Sequence, residues 1–507
     1  MKEKKKQFYH RYLNEGATWQ FVLKMFLLLF LVNVLIRLPL YFSKNFWFDG
    51  DEAIIGIMAQ DFLRTGKLPF FFYGQHYGFA SVETFFSAVF IKILGSKIIG
   101  LKLAGMVIHS LAMVFIALFL KAKRVSPRTW FFVLFLVLFF PPFYLWASQM
   151  RTTAFLLAAI LLFIIETKSF SWWRFVLVFI LSFLLLESQA MFFLFAMVFV
   201  GNWLWTAKRK LVPFAGFGLG QIVLIFLVNF YWIGDKTAHS VQLFADGNQW
   251  NQLMLQFSGF RSGFSGFHYF TMDIDLPSWY SVFILLMLGT FIGLFLVVII
   301  RSWQENQRVV MFYGLALIGF LVFLSFFKEY GPRYWINFFG GTLLVLLSLL
   351  MKSETKDSLS KKMLLPLLPF IAVCFAASDM RVHFSDHDIS EKEAFAAINH
   401  EVRASNQKAV FAADVYLQWQ WNFINGEDVP CCAFIEDDRT DRFSKRVFSK
   451  YRTYPEQVGL MGYWGIFWEM DVIEGFNDKR YQVGEKYYFL KEIQVEYFKK
   501  GMKVSGD

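Results

Sequence analysis

DGDEAIIGIMAQDFLRTGKLPFFFYGQHYGFASVETFFSAVFIKILGSKIIGLKL, residues 49–103, follows directly on the first long apolar run of the chain. It opens on Asp49, Asp51 and Glu52, three carboxylates in four residues. One acid at such a place caps a helix, because an Asp ahead of AIIGIMAQDFLRTG satisfies free backbone N–H groups. Three acids exceed that need. They repel one another, with little screening beside a membrane interface, and such a cluster has a cation, a proton or a substrate to hold. The helix after them is predicted to stop at Gly66, a C-cap residue, ahead of Pro69. FFYGQHYGFASVETFF then reads as a glycine-punctuated loop entering another helix. It offers Tyr73, Gln75, His76, Tyr77 and Glu83 as polar groups. A lone His is more often structural than functional, but His76 lies between a Gln and a Tyr in a polar loop at the membrane surface.

Around this stretch the chain is a series of apolar runs. They fall near 20–42, 98–120, 129–147, 152–166, 174–187, 190–206, 211–233, 279–300, 309–327, 335–351 and 363–378. Each approaches the roughly 20 residues that cross a bilayer as a helix. The expected architecture is a polytopic α-helical membrane protein of about 11–13 transmembrane helices. Glu187, Ser188 and Gln189 interrupt the 174–206 region. The apolar stretch 79–95 either spans or lies on the membrane.

Charge sets the orientation. Six gaps, the N-terminus and those near 121–128, 167–174, 207–210, 301–308 and 352–362, hold 20 Lys or Arg. The short opposite loops hold Arg151, Lys328 and Arg333. Basic residues stay on the cytoplasmic side, so the N-terminus is expected inside. An odd number of spans then places residues 379–507 outside. A spanning 79–95 would break the charge pattern, so the juxtamembrane reading is preferred there. MKEKKK and the run that follows read as a first spanning helix, too long for a signal-peptide core and without a small-residue cleavage site. Two domains follow: a membrane part, 1–378, with outer loops 43–97 and 234–278, and an extracytoplasmic part, 379–507. The latter mixes charged segments with short strand-like runs such as KAVFAADV and reads as a small α/β domain.

Composition removes several function classes. Hydrophobic residues make up 57% of the 507, and mean hydropathy is +0.45. That excess has no soluble-core explanation at this length. The net charge of +11 is spread over helix ends and forms no basic face, which argues against nucleic-acid binding. Cys374, Cys431 and Cys432 have no metal-ligand spacing and read as structural.

The stretch 49–103 resembles the first outer loop of membrane glycosyltransferases of the C-type fold. It is most similar to bacterial relatives of protein O-mannosyltransferase and of the lipid A aminoarabinose transferase, a glycosyltransferase family 39-like group. The matching positions are Asp51-Glu52, Tyr73-Gly74-Gln75, Tyr77, Glu83 and Leu94-Gly95, with looser spacing near Gly78 and Ser81. The likeness is closest over about 41–125. It continues at Ser148-Gln149-Met150-Arg151, Gly331-Pro332-Arg333-Tyr334, Ala413-Asp414-Val415-Tyr416 and Phe423-Ile424-Asn425-Gly426-Glu427.

The resemblance implies a sugar donor carried on a polyprenyl phosphate, used at the outer face of the bacterial inner membrane. It implies Asp51 as general base, with Glu52 its catalytic neighbour. Asp49, Tyr73, Gln75, His76, Tyr77, Glu83, Arg151, Lys328, Arg333 and Tyr334 become candidates for binding substrate. The chemistry is coherent. An acceptor hydroxyl loses a proton as it attacks the anomeric carbon, and a carboxylate within reach takes it. Carboxylates also stabilise the oxocarbenium-like transition state. The lipid phosphate needs cationic donors, for which Arg is suited, whereas the bland role of Arg151, Lys328 and Arg333 is snorkelling or headgroup contact. Asp49-Gly50-Asp51 is also a D-x-D pair that could hold a divalent metal, but relatives often need none, and no cofactor is expected to be required. The partners implied are a polyprenyl-phosphate sugar, a lipid, glycan or protein acceptor, and membrane lipids.

Two other classes compete. A transporter of lipid-linked glycans would carry charges within its spans and show internal repeats, whereas here the spans are almost free of charge and no repeat is visible. An oligosaccharide polymerase or ligase would concentrate Arg and His in a late outer loop. Loop 234–278, with Lys236, His239, Arg261 and His268, keeps that reading open.

Overall fold

The computed structural model describes residues 18–42, 49–73, 78–95, 97–140, 142, 152–167, 170–206, 211–232, 250–251, 253–254, 278–326, 332–352, 373, 391–412, 415–426, 428–433, 442–463, 480–483 and 487–490. Eleven helices precede residue 353 among these: α1 (Trp19–Phe42), α2 (Gly50–Thr65), α3 (Ser81–Leu94), α4 (Lys97–Ala122), α5 (Pro127–Phe139), α6 (Thr153–Thr167), α7 (Trp172–Ser188), α8 (Ala190–Thr206), α9 (Leu211–Trp232), α10 (Ser278–Phe326) and α11 (Pro332–Lys352).

Helix α1 is inside-out by the standard of a water-soluble protein. Leu27, Leu28, Leu31 and Leu35 are exposed, whereas Asn33 and Arg37 are fully buried. Exposed apolar residues recur on α9 and α10 at Leu219, Ile222, Leu285, Leu286 and Leu296. Water penalises such a surface, and lipid does not. The buried polar groups of α1 fasten it to its neighbours. Asn33 Nδ2 donates to Met106 O and Ser110 Oγ on α4, both at 3.0 Å. Arg37 donates to Asn33 Oδ1 and, at 3.1 Å, to Leu138 O at the end of α5.

Two helices among the described residues, Trp19–Phe42 and Ile98–Ala122, are long and apolar enough to cross a membrane by length and composition. The expected run 129–147 is cut at Phe139, because Phe140, which precedes a proline in the sequence, leaves helical geometry at φ −58°, ψ 122°. The run 174–206 is two helices. Gln189 leaves helical geometry at φ −156°, ψ 98°, so the polar interruption is a true break. Segment 79–95 forms the 14-residue α3, roughly 21 Å at 1.5 Å per residue, short of the ~30 Å hydrocarbon thickness. Helix α10 runs for 49 residues, yet the rings of Phe295 and Tyr313 meet at a tilt with centroids 5.1 Å apart. A straight helix would separate them by about 27 Å. The segment therefore folds back between them, and its halves correspond to the runs 279–300 and 309–327. The run 363–378 lies almost wholly outside the described residues.

Beyond residue 390 come α12 (Glu391–Ala404), β1 (Ala409–Ala412), α13 (Val415–Asn425), β2 (Cys431–Ala433), α14 (Arg442–Thr453), β3 (Val458–Tyr463), β4 (Arg480–Val483) and β5 (Tyr487–Leu490). The strands form one sheet in the order β2-β1-β3-β5-β4. The strands β2, β1 and β3 are parallel, with Val410 opposite Cys431 and Gly459. β5 and β4 continue the sheet antiparallel, with Met461 opposite Phe489. β1 is buried at every residue, as a parallel strand covered on both faces must be. The outer edge β2 is sealed by α13. Asn422 exchanges two bonds with the Cys431 backbone at 2.7 and 2.9 Å, and Gln418 Oε1 accepts from Ala433 N at 2.7 Å. Side-chain amides thus occupy the ladder positions that an edge strand would leave open. Cys431 and Cys432 are buried free thiols.

One apolar cluster joins the two regions. It contains Ala53, Ile54, Ile57 and Met58 of α2, Leu101 and Ala104 of α4, and Phe395, Trp419, Trp421 and Phe423 of the sheet region. Gly56 is the contact point, since a Cβ there would collide with the Phe423 ring. Gly56→Val is therefore expected to destabilise the protein by about 1–3 kcal/mol through overpacking, read as a lower unfolding midpoint in lipid nanodiscs. Leu63→Val, on an exposed face of the same helix, serves as the control with an unchanged midpoint.

Candidate active site

The first turn of α2 builds the site. Asp49 is the N-cap, with φ −89° and ψ 174°, and its side chain accepts from Glu52 N at 2.7 Å. Glu52 returns the bond, its Oε2 accepting from Asp49 N at 3.1 Å. This reciprocal capping box satisfies two otherwise orphaned donors. Gly66, at φ +70°, ends the helix in the left-handed conformation expected of it.

Glu52 also faces inward. Lys102 of α4 donates to both of its carboxylate oxygens, at 2.9 and 2.7 Å, and both side chains are at most 2% exposed. Burial pushes the Glu52 carboxyl up, Lys102 pulls it down, and Asp49 adds repulsion. The three acids thus have separate surroundings. Asp49 caps, Glu52 is locked in a buried ion pair, and Asp51, one position round the same turn, is half-buried. All three sit at the positive end of the helix dipole.

The loop after α2 is a narrow hairpin. Phe71 pairs with Phe79, Phe72 N donates to Gly78 O at 2.9 Å, and Ala80 N donates to Phe70 O at 3.0 Å. Gly78 takes φ +84°, a conformation in which a side chain is strained. Its N–H and that of Phe79 both donate to Glu187 O, at 2.9 and 3.0 Å. The break between α7 and α8 therefore holds the base of the hairpin. Next to it, Gln189 Oε1 accepts from Asn337 Nδ2 of α11 at 3.0 Å. Tyr73 donates its hydroxyl to Asp61 Oδ2 at 2.8 Å, and burial raises its pKa above the ordinary tyrosine range. Gln75, His76 and Tyr77 lie outside the described residues.

Glu83, in the first turn of α3, is buried. Burial raises its carboxyl to about 7, partly opposed by hydrogen bonding at Thr153, the first residue of α6. Arg333 and Tyr334 lie in the first turn of α11, and Arg151 and Lys328 lie outside the described residues. Lys102 was not legible as a site residue, because a lysine near the start of an apolar helix reads as a snorkelling interface residue. Asp61 and Arg442 gave no signal either, being lone charges 381 residues apart.

Two outcomes are expected from this arrangement. Lys102→Met alone leaves Glu52 buried without its counter-charge and costs about 3–5 kcal/mol, whereas the double variant Glu52→Gln/Lys102→Met recovers most of that; equilibrium unfolding of the pair of variants measures it. Glu83 has a folded-state pKa raised from 4.5 to about 7. Its stability contribution is complete below pH ~4.5 and is lost as pH rises through ~7, by roughly 3 kcal/mol. Glu83→Gln should then match wild type at pH 5 and exceed it at pH 8, read from unfolding midpoints at the two pH values.

No protein-family model matches the chain, and no curated protein matches it in sequence. Solved structures do. The chain is similar to ArnT from Cupriavidus metallidurans in the apo state, with a TM-score of 0.55 at 12% identity over 91% of this chain and 97% of that one. It is likewise similar to the same protein bound to undecaprenyl phosphate, with a TM-score of 0.58 at 12% identity over 95% of this chain and 99% of that one. The fold of this chain is therefore that of ArnT, a lipid A aminoarabinose transferase of the C-type glycosyltransferase fold.

Proposed function

We propose that the protein is an integral membrane glycosyltransferase that moves a sugar from a polyprenyl-phosphate donor to a hydroxyl-bearing lipid, glycan or protein at the outer face of the bacterial inner membrane. The observation that carries the reading is the partition of the acid cluster. Glu52 pairs with Lys102 within the fold, Asp49 caps the helix, and Asp51 is the half-buried carboxylate of the same turn. The C-type fold, found in a protein crystallised with undecaprenyl phosphate, supports the donor class. The lipid-facing apolar residues of α1, α9 and α10 support the membrane setting.

In this reading Asp51 accepts the proton of the acceptor hydroxyl as its oxygen bonds to the anomeric carbon. The bond from that carbon to the donor phosphate oxygen breaks at the same time, and the polyprenyl phosphate departs as an anion. A positioned carboxylate base contributes about 10²–10⁴-fold. Negative charge at the rim also favours the oxocarbenium-like transition state. Glu52 and Lys102 hold the turn rigid, and Asp49 fixes its first N–H groups. Arg333, in the first turn of α11, is assigned to the donor phosphate together with Lys328. The sheet region stands on the outer side with the acid helix. No step needs a metal, and the D-x-D pair serves as helix cap and base.

The test is transfer from a radiolabelled panel of polyprenyl-phosphate sugars by purified protein in nanodiscs. Wild type should consume one donor, and Asp51→Asn should lower turnover about 10²–10⁴-fold while donor binding, measured by retention of the labelled lipid, stays within threefold. Normal turnover by Asp51→Asn would remove the base assignment, and no consumption of any donor would remove the enzyme reading.

A further inference from the structure

Asp61 lies three turns beyond the acid cluster on α2. Its carboxylate is the meeting point of three separate segments. Arg442 Nη1, from the first residue of α14 in the sheet region, reaches Oδ1 at 3.0 Å and Oδ2 at 2.9 Å. The Tyr73 hydroxyl, from the hairpin that carries Gln75, His76 and Tyr77, reaches Oδ2 at 2.8 Å. Arg64 of α2 itself reaches Oδ1 at 2.8 Å. The preceding residue, Gln60, donates from Nε2 to Phe423 O at 3.2 Å, and Gly56, over a turn earlier, admits the Phe423 ring. Helix α2 thus presents Gly56, Gln60 and Asp61 to the sheet region while its N-terminal turn is anchored to α4 through Lys102.

We infer that Asp61, Arg442 and Tyr73 form a positioning node by which the sheet region aligns the acid-bearing helix and the adjoining hairpin as one unit, so that the sheet region is a working part of the transferase site. The inference rests on the proposed transferase reading. Energy is not the reason for such a node. A partly exposed ion pair contributes little to stability, and Arg442 and Asp61 are 26% and 14% exposed. Geometry is the reason. Asp51 and Asp61 are ten residues apart, so about 15 Å of rigid helix separates them. Apolar packing about Gly56 and Met58 holds the middle of α2 without fixing its direction finely, and the hydrogen-bonded Asp61 pair adds a directional contact nearer its C-terminal end. Tyr73 shares that contact, so the hairpin is carried at a fixed distance from the acids. Misplacing a catalytic group by about 1 Å can cost on the order of 100-fold in rate. Asp61 and Arg442 touch no reacting atom in this scheme. They are positioning residues, and their effect should appear in kcat rather than in donor binding.

The experiment uses the full chain in nanodiscs and compares wild type with Arg442→Gln, Asp61→Asn, and the charge-conserving variant Arg442→Lys. Two readouts run in parallel: steady-state kinetics on the donor that wild type consumes, and hydrogen–deuterium exchange of the α2 backbone, which needs no activity. The expected result is a kcat lower by about 10- to 100-fold in Arg442→Gln and Asp61→Asn, with the donor KM within threefold. Arg442→Lys, which keeps a charged donor toward Asp61, should hold kcat to within about fivefold of wild type. Exchange of residues 56–65 should rise in Arg442→Gln while the global unfolding midpoint holds. Unchanged kcat and unchanged exchange in Arg442→Gln would overturn the inference. So would a raised KM at constant kcat, or a loss of kcat that tracks the unfolding midpoint and is as large in Arg442→Lys as in Arg442→Gln. If wild type consumes no donor but exchange in α2 still rises on Arg442→Gln, the node stands and the transferase reading falls.

Discussion

Two charges that lie almost wholly out of water, Glu52 and Lys102, have to satisfy each other. Removing an ion from water costs several kcal/mol even after relaxation, and close, well-aligned partners offset that cost. Here one ammonium bonds both carboxylate oxygens, and the carboxylate also accepts a backbone N–H. The pair therefore demands one placement of α2 against α4. From that placement follows the face of α2 that meets the sheet region. A buried ion pair is poor evidence of stability but good evidence of a specified arrangement, and this one lies at the base of the candidate site.

The rest of the membrane part is organised by the same rule in a different solvent. Helix α1 buries Asn33 and Arg37 and turns leucines outward, since in lipid the polar group is the one that seeks a protein partner. Its Arg37 ends on the carbonyl of Leu138, near the point where α5 stops and its last acceptors are free of intrahelical partners. The break at Gln189 has a parallel role, because the carbonyl of Glu187 there receives both N–H groups at the hairpin base. Interruptions of the bundle are thus where loops are attached. The site lies where three such features meet: a helix start, a hairpin and a break.

Much of this was legible in the residues. Apolar runs and their spacing indicated a helical bundle with polar loops. The Asp-Gly-Asp-Glu turn was legible as a helix cap, and Gly66 and Pro69 marked the end of its helix. These readings succeed because they rest on local rules of capping, periodicity and hydropathy. The polar triplet at 187–189 was legible as an interruption, though its use as a seat for Gly78 and Phe79 was not. A backbone carbonyl carries no sequence signature.

What the sequence determined by itself is the chemistry on offer: a cluster of acids after an apolar helix, a glycine-rich polar hairpin, and a chain whose solvent is largely lipid. The tertiary structure decided how those acids are divided. Asp49, Asp51 and Glu52 are neighbours in sequence with near-identical side chains, and nothing local separates a base from a structural anchor. Lys102, 50 residues on, makes Glu52 the anchor, and Arg442, 381 residues from Asp61, ties the far end of the same helix. The physical reason is that a carboxylate's role is set by its desolvation and its counter-charges, and these are supplied by segments remote along the chain and close only in the folded protein.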